Sequence, residues 1–418
     1  MIRKSSALHY GWIVALTGML ATLGAHGFGR FAYTLILPPM KEGLALSYTQ
    51  AGLIGTGNFI GYLISAFAGG FLASKYNSRY VISLSLVLMS FTLFLTGLAQ
   101  SFEWAFAMRL LTGIGNGAAY VPAMALGSVW FATRYRGLAT GIVSSGTGTG
   151  IMLGSAIVPW IIAGYGPFGW RFAWYCLGGF LLFIGVVCFT FLRPRPESLG
   201  LSPFGEQRLP VYKLQDSKAG GSDPSGWRLI CRSKTAWHFS AVYFMFGFSY
   251  VIYITFFAAY LKNEIGWSDA RTSGLWALVG GLNILCGLIW GCISDRLGRR
   301  HSAALVYLAL AVSYLLFASF KFAPALYLSA VIFGLSSIGV PTIMAAASGD
   351  YLGRRLAPAG LGFITLFFGI GQALGPAAGG YLADLSGTFT WTYVLAAAVS
   401  ILGMAGSLLL PKPPAAEE

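Results

Sequence analysis

Long apolar runs separated by short polar breaks fill the chain. Runs near 11–38, 48–73, 80–98, 104–131, 137–164 and 171–193 come first, and runs near 237–260, 270–292, 302–320, 324–348, 358–383 and 391–410 follow. Each is close to the roughly 20 residues an α-helix needs to cross a bilayer. Helices satisfy their own backbone, which hydrocarbon requires. The pattern therefore predicts an all-α membrane protein with twelve transmembrane helices. The polar stretch over 194–236, with Pro194, Pro196, Asp216, Lys218, Gly220, Gly221 and Pro224, reads as a linker. The expected organisation is an N-terminal six-helix bundle over 1–193, a cytoplasmic linker over 194–236 and a C-terminal six-helix bundle over 237–418. The first run follows Arg3 and Lys4 as a signal peptide would, but it continues to Pro38 and is too long for one.

Composition agrees with a bilayer as the solvent. Of 418 residues, 56% are hydrophobic and 10% are charged, whereas a soluble domain carries about a quarter charged residues. The net charge of +14 does not point to nucleic acid, because the Lys and Arg residues sit between apolar runs and not in one cluster. Most of them fall at alternate ends of the runs, which places both termini in the cytoplasm of a multi-pass protein of the inner (plasma) membrane. The five cysteines form no C-x-x-C pair or metal spacing. No phosphate-binding G-x-x-x-x-G-K-[ST] loop and no Ser/His/Asp set stands out, so neither an enzyme nor an ATP-driven pump is expected, and no cofactor.

The two sets of runs are related. At an offset of 221 residues Lys41 meets Lys262, Ser47 meets Ser268, Gly70 meets Gly291 and Arg79 meets Arg300. At an offset of 219, Pro122 meets Pro341, Arg136 meets Arg355 and Gly141 meets Gly360. Two six-helix repeats are the form expected of a carrier with its site where the repeats meet.

The stretch GCISDRLGRRH, Gly291–His301, resembles the signature loop of the major facilitator superfamily. Its first-half copy, GFLASKYNSRY, has Ser74 for the aspartate and Asn77 for the glycine. Arg109, Gly113 and Gly115 in helix 4 are similar to a second family motif, and Gly371, Gly375, Pro376, Gly379 and Gly380 in helix 11 to a third. The resemblance covers the whole chain and implies two pseudo-symmetric six-helix bundles, with helices 1, 4, 7 and 10 lining a central cavity. It also implies gating by Asp295, Arg296, Arg299, Arg300, Arg136, Lys75 and Arg79. Trp130, Phe131 and the run Arg136–Gly141 resemble the helix 4–5 turn of monocarboxylate and oxalate–formate carriers. Where those carriers commonly place a basic residue in helix 8, this chain has Asn283. The helix 1 stretch GFGRFAYTLILPPM resembles that of a group of poorly characterised bacterial facilitators.

The charges inside the runs narrow the chemistry. No Asp or Glu falls mid-run, while His26 and Arg30 lie within helix 1 and Arg109 within helix 4. A charge at that depth costs at least about 2.5–3.5 kcal/mol and needs a partner or a wet cavity. Arg30 without a carboxylate points to an anionic cargo, since a guanidinium grips carboxylate or phosphate in a bidentate fork. His26, Arg30 and either Tyr33 or Thr34 are spaced for one helical face, as are Arg109, Asn116 and Tyr120. Tyr243, Tyr250 and Tyr253 form a stripe on helix 7, and Tyr62 and Asn283 are equivalents at the 221 offset. The expected substrate-binding set is Arg30, His26, Tyr33, Tyr62, Asn116, Tyr120, Tyr250, Asn283 and Gln372. The leading expectation is a monomeric secondary carrier for a small, monocarboxylate-like organic anion. Coupling to protons through His26 and exchange of anions both remain open. An exporter of drug-like or neutral metabolites with an aromatic pocket is the alternative.

Overall fold

The computed structural model describes residues 9–205 and 229–411, and twelve helices make up almost all of that chain. In the first half these are α1 (Tyr10–Gly43), α2 (Tyr48–Tyr76), α3 (Ser78–Gly97), α4 (Phe102–Trp130), α5 (Thr133–Tyr165) and α6 (Gly169–Phe191). In the second they are α7 (Lys234–Asn263), α8 (Asp269–Leu297), α9 (Arg299–Ser319), α10 (Ala323–Ser336), α11 (Gly339–Ser386) and α12 (Thr390–Leu408). Nine stretches of the described residues are long and apolar enough to cross a membrane, one of them covering both α5 and α6. The helices outside those stretches, α2 and α4, pack against each other through close backbone approaches. A methyl group on Gly61 or Gly113 would run into the backbone of Leu110 or Asn58 respectively, so small residues set this contact.

The helix ends show the repeat in the backbone. Ser47 caps α2 through the Gln50 N–H, with the Gln50 side chain returning to the Ser47 N–H. Its equivalent Ser268 caps α8 through the Arg271 N–H. The first-half signature turn has been rebuilt: Asn77 takes φ 80°, as Gly298 takes φ 81° in the second half. Asn77 compensates by accepting the Arg79 N–H on its side-chain oxygen at 3.0 Å.

Three boundaries differ from the sequence expectation. Helix α1 runs past Pro38 and Pro39 to Gly43, since proline inside a membrane helix is tolerated where neighbouring helices cover it. The backbone stays helical through 349–357, where a break is expected, and the interruption falls at Ser337 and Ile338. There Cys286 Sγ supplies the acceptor that the Ile338 N–H lacks. The start of the linker is not free chain: Phe204 pairs with Phe131 through the Ala132 and Phe204 N–H groups and packs against Trp12, Phe131 and Tyr135. Residues 206–228, and the side chains of Lys75, Arg136 and Asp295 among the expected gating residues, lie outside the described residues.

Helix α1 is not regular. Between Leu23 and Phe31 it widens into a π-helix, with the Ala32 N–H bonding to the Gly27 carbonyl five residues back. Gly27 makes this possible by lying backbone-to-backbone against Gly150 of α5. The halves join at the end of the bundle away from the chain termini. There the Asp384 carboxylate of α11 accepts the N–H groups of Tyr48 and Thr49 at 2.9 and 2.6 Å and the Thr49 hydroxyl at 2.5 Å. Asn263 donates to the Tyr48 hydroxyl at 2.9 Å, and deeper in, Thr34 and Thr56 donate to the carbonyls of Ile254 and Ala373.

Candidate functional site

The widened turn of α1 carries His26 and Arg30, both 6% exposed, to the seam between the halves. The Arg30 guanidinium donates through Nη1 to His26 Nε2 at 3.3 Å and through Nη2 to the Tyr250 hydroxyl of α7 at 3.4 Å. Tyr250 in turn accepts a short hydrogen bond from the Gln372 amide of α11. A chain of four polar side chains thus runs from the first half to the second. Aromatic rings wall it: the guanidinium carbon lies 4.3 Å from the Phe59 ring centre, 5.0 Å from Tyr62 and 5.4 Å from Phe31. The Tyr120 ring lies tilted against His26 with ring centres 3.7 Å apart. Ring faces attract the cation but leave its charge uncompensated. Among the described residues no carboxylate pairs with Arg30, and its Nε has no hydrogen-bond partner.

Six of the nine expected site residues, His26, Arg30, Tyr62, Tyr120, Tyr250 and Gln372, therefore come together. The other three spend their polar atoms elsewhere. Tyr33 lines a small cavity beside Arg30, but its hydroxyl is spent on the Ala51 carbonyl at 2.7 Å and does not join the polar chain. Asn116 is spent on structure, its amide donating to the Ala25 carbonyl at 2.8 Å. Asn283 lies at the α8–α10 contact, where its side-chain oxygen accepts the Ser337 hydroxyl at 3.0 Å. The helix 7 stripe also divides. Tyr250 joins the chain, Tyr243 stacks on Phe368 of α11, and Tyr253 sits inside the second half with its hydroxyl 3.1 Å from that of Ser329.

Arg109 is a support. Its Nη1 donates to the Gly29 carbonyl at 2.7 Å, and its guanidinium packs over the rings of Trp174 and Tyr33. Arg109 and Asn116 together satisfy two carbonyls of the π-helical segment, whose irregular hydrogen bonding needs outside donors. A small cavity between Arg30 and Arg109, lined also by Tyr33, Asn58, Thr34 and Thr255, has room for a water molecule. Of the expected gating residues, Arg299 donates to the Asp350 carboxylate at 2.7 Å and to Ser294 at 2.8 Å. Arg79 donates to the Phe189 carbonyl at 2.6 Å, Arg300 lies against His301, and Arg296 is exposed. Asp384, which fastens the halves, is a residue that sequence reasoning missed. It lies 335 positions from its partner Thr49, and no local pattern marks it.

Twelve helices in two related halves, closing on a buried polar chain at their seam, define a multi-pass membrane transporter and not an enzyme. The chain belongs to the major facilitator superfamily: residues 22–408 match the family described as uncharacterised MFS-type transporter YbfB. It is 24% identical over 390 residues to the probable sulfoacetate transporter SauU of Cupriavidus necator, with 91% of this chain and 89% of that one covered. It is also 24% identical over 403 residues to the hexuronate transporter of Bacillus subtilis, covering 92% and 91%. Its fold matches the crystal structure of a bacterial homologue of the lysosomal transporter Spinster in an inward-facing, occupied conformation. That match has a TM-score of 0.77 at 17% identity and covers 97% of each chain. Both relatives are named as transporters.

Proposed function

We propose that this protein is a secondary carrier that moves a monocarboxylate-like organic anion across the inner membrane by alternating access, with Arg30 holding the carboxylate. The observation that carries the reading is the buried Arg30 guanidinium, contacted by rings, His26 and Tyr250 and by no carboxylate among the described residues. A desolvated cation of this kind gains most from an anion that enters and leaves. Both relatives are named for acids, sulfoacetate and hexuronate, which supports the same cargo class.

Positive-inside bias puts both termini in the cytoplasm, so the end fastened by Asp384 faces outward and the described state is closed on that side. The titratable ring of His26, 3.3 Å from Arg30, supports a coupling of proton movement to that of the anion. Uptake of a labelled carboxylate into proteoliposomes tests the proposal: wild-type protein should accumulate it and Arg30→Gln should not. Equal uptake by both would overturn it.

A further inference from the structure

His9, just before α1, holds two partners at once. Its Nδ1 accepts the Gly11 N–H at 3.1 Å and so caps the helix, and its Nε2 lies 3.2 Å from the Ser202 carbonyl, 193 positions along the chain. The partners fix the ring's protons. A backbone N–H only donates and a carbonyl only accepts, so Nδ1 is bare and Nε2 carries the hydrogen. Turning the ring over would put carbon atoms at both contacts. Only a neutral ring can serve both partners in this way.

Ser202 belongs to a segment laid across the ends of three helices. After α6 the chain makes a single 3-10 turn over Pro196–Leu199, with Pro196 buried, and reverses at Gly200, φ 66°. Phe204 then lies among the rings of His9, Trp12, Phe131 and Tyr135, at 5.4, 5.2, 5.8 and 5.1 Å between centres. Its N–H donates to the Trp130 carbonyl at 2.9 Å, and its carbonyl accepts the Ala132 N–H at 3.0 Å. Residues 196–205 thus tie the start of α1 to the α4–α5 turn.

The groups facing the His9 ring are uncharged: the Gly11 N–H, the Ser202 carbonyl and the Phe204 ring. Of the titratable and charged groups on the elements packed here, Tyr10 donates to the Phe191 carbonyl at 2.7 Å and Arg193 to the carbonyls of Thr190 and Leu192. Arg195 and Glu197 are exposed, Tyr135 packs on Phe204, and the side chains of Arg134 and Arg136 lie outside the described residues. Among the described residues no carboxylate pairs with His9. A proton added to this ring goes to Nδ1, onto the lone pair that holds the Gly11 N–H. The imidazolium then sets N–H against N–H, at the helix end where the dipole is positive.

We propose that residues 196–205 form a proton-sensitive strap, fastened across the ends of α1, α4 and α5 by neutral His9 and released when His9 is protonated. Histidine is the side chain that changes charge between about pH 5 and 8. The strap therefore holds at the upper end of that range and loosens as the pH falls. The device responds to protons on the side of the membrane where the chain begins and needs no cargo to act.

Hydrogen–deuterium exchange of the purified full-length protein tests this at about pH 7.5 and about pH 5.5, with the intrinsic pH dependence of exchange removed. In the wild type, peptides carrying the Gly11 N–H and residues 196–205 should exchange about fivefold faster at the lower pH, the range of a lost N-cap. Peptides from α9, in the second half, should not change. His9→Asn keeps a capping oxygen that does not titrate, and its strap should exchange alike at both pH values. No acceleration in the wild type overturns the strap without reference to any variant. An equal acceleration in α9 overturns it as a general loosening, and an equal acceleration in His9→Asn places the sensing group elsewhere. None of these outcomes bears on the Arg30 site.

Discussion

Asp384 of α11 caps the first turn of α2 at Thr49, taking its backbone N–H at 2.6 Å and its hydroxyl at 2.5 Å. The contact joins the two halves, and an anion at a helix N-terminus meets both the free N–H groups and the positive end of the helix dipole. Charge-assisted hydrogen bonds of this kind contribute about 1.5–3 kcal/mol. Asp384→Asn keeps the shape and removes the charge. It should shift the population about tenfold toward states parted at this end, an effect of about 1.4 kcal/mol. Spin labels at Glu42 and Leu385, both exposed, should report longer distances in the variant. An unchanged distance distribution would dismiss the fastening role.

Arg109 and Asn116 should behave as supports for α1. Arg109→Gln and Asn116→Leu each remove a donor to a buried carbonyl, of Gly29 and Ala25 respectively. Each should destabilise the protein by about 1–3 kcal/mol, seen as a lower unfolding temperature in detergent. A variant that loses transport at unchanged stability would place that residue on the cargo instead.

Tyr250 and Tyr253 are three residues apart and should part company under the same substitution. Tyr250→Phe removes the oxygen between Arg30 and Gln372. It should raise the apparent KM for a transported carboxylate about threefold to tenfold, the range of one hydrogen bond. Tyr253→Phe breaks a contact with Ser329 that lies wholly inside the second half. It should lower the unfolding temperature and leave KM alone.

Gly150 makes one of the exacting helix contacts near the site. A methyl group there would lie 2.7 Å from the Gly27 Cα, backbone against backbone, with no flexible neighbour to yield. Gly150→Ala should cost about 1–3 kcal/mol, as overpacking does, and should lower transport by pushing the π-helical turn away from α5. Gly179→Ala, with open space around it, is the matched control and should be neutral in both measurements.

What was readable from sequence follows from how far each signal reaches. Apolar runs report on their own helix, and the repeat reports on equivalent turns, so the helices and the Ser47 and Ser268 caps were within reach. Arg30 was visible as a deep charge because the missing carboxylates are a property of the whole chain. The role of Asn116 was not readable, because it bonds a carbonyl of the π-turn. That turn is held by groups on other helices: Gly150, Arg109 and Asn116. Asn283 misled for a related reason. Equivalence at the 221 offset predicts a similar position, but the break after Ser336 gives the second half a local partner for that side chain in Ser337.

The π-helical segment also divides α1 into two stretches with different rotational phases. Before it, Gly18 and Thr22 face Val143 of α5; after it, Thr34 faces Ile254 of α7. One extra residue in the turn turns the later stretch by about 100° relative to an uninterrupted helix. Deleting a single residue between Leu23 and Phe31 would restore a regular helix and bring the two stretches into phase, so that only one could keep its neighbour. The helix thus works as a joint between the two halves, and its length at this point is as constrained as its chemistry.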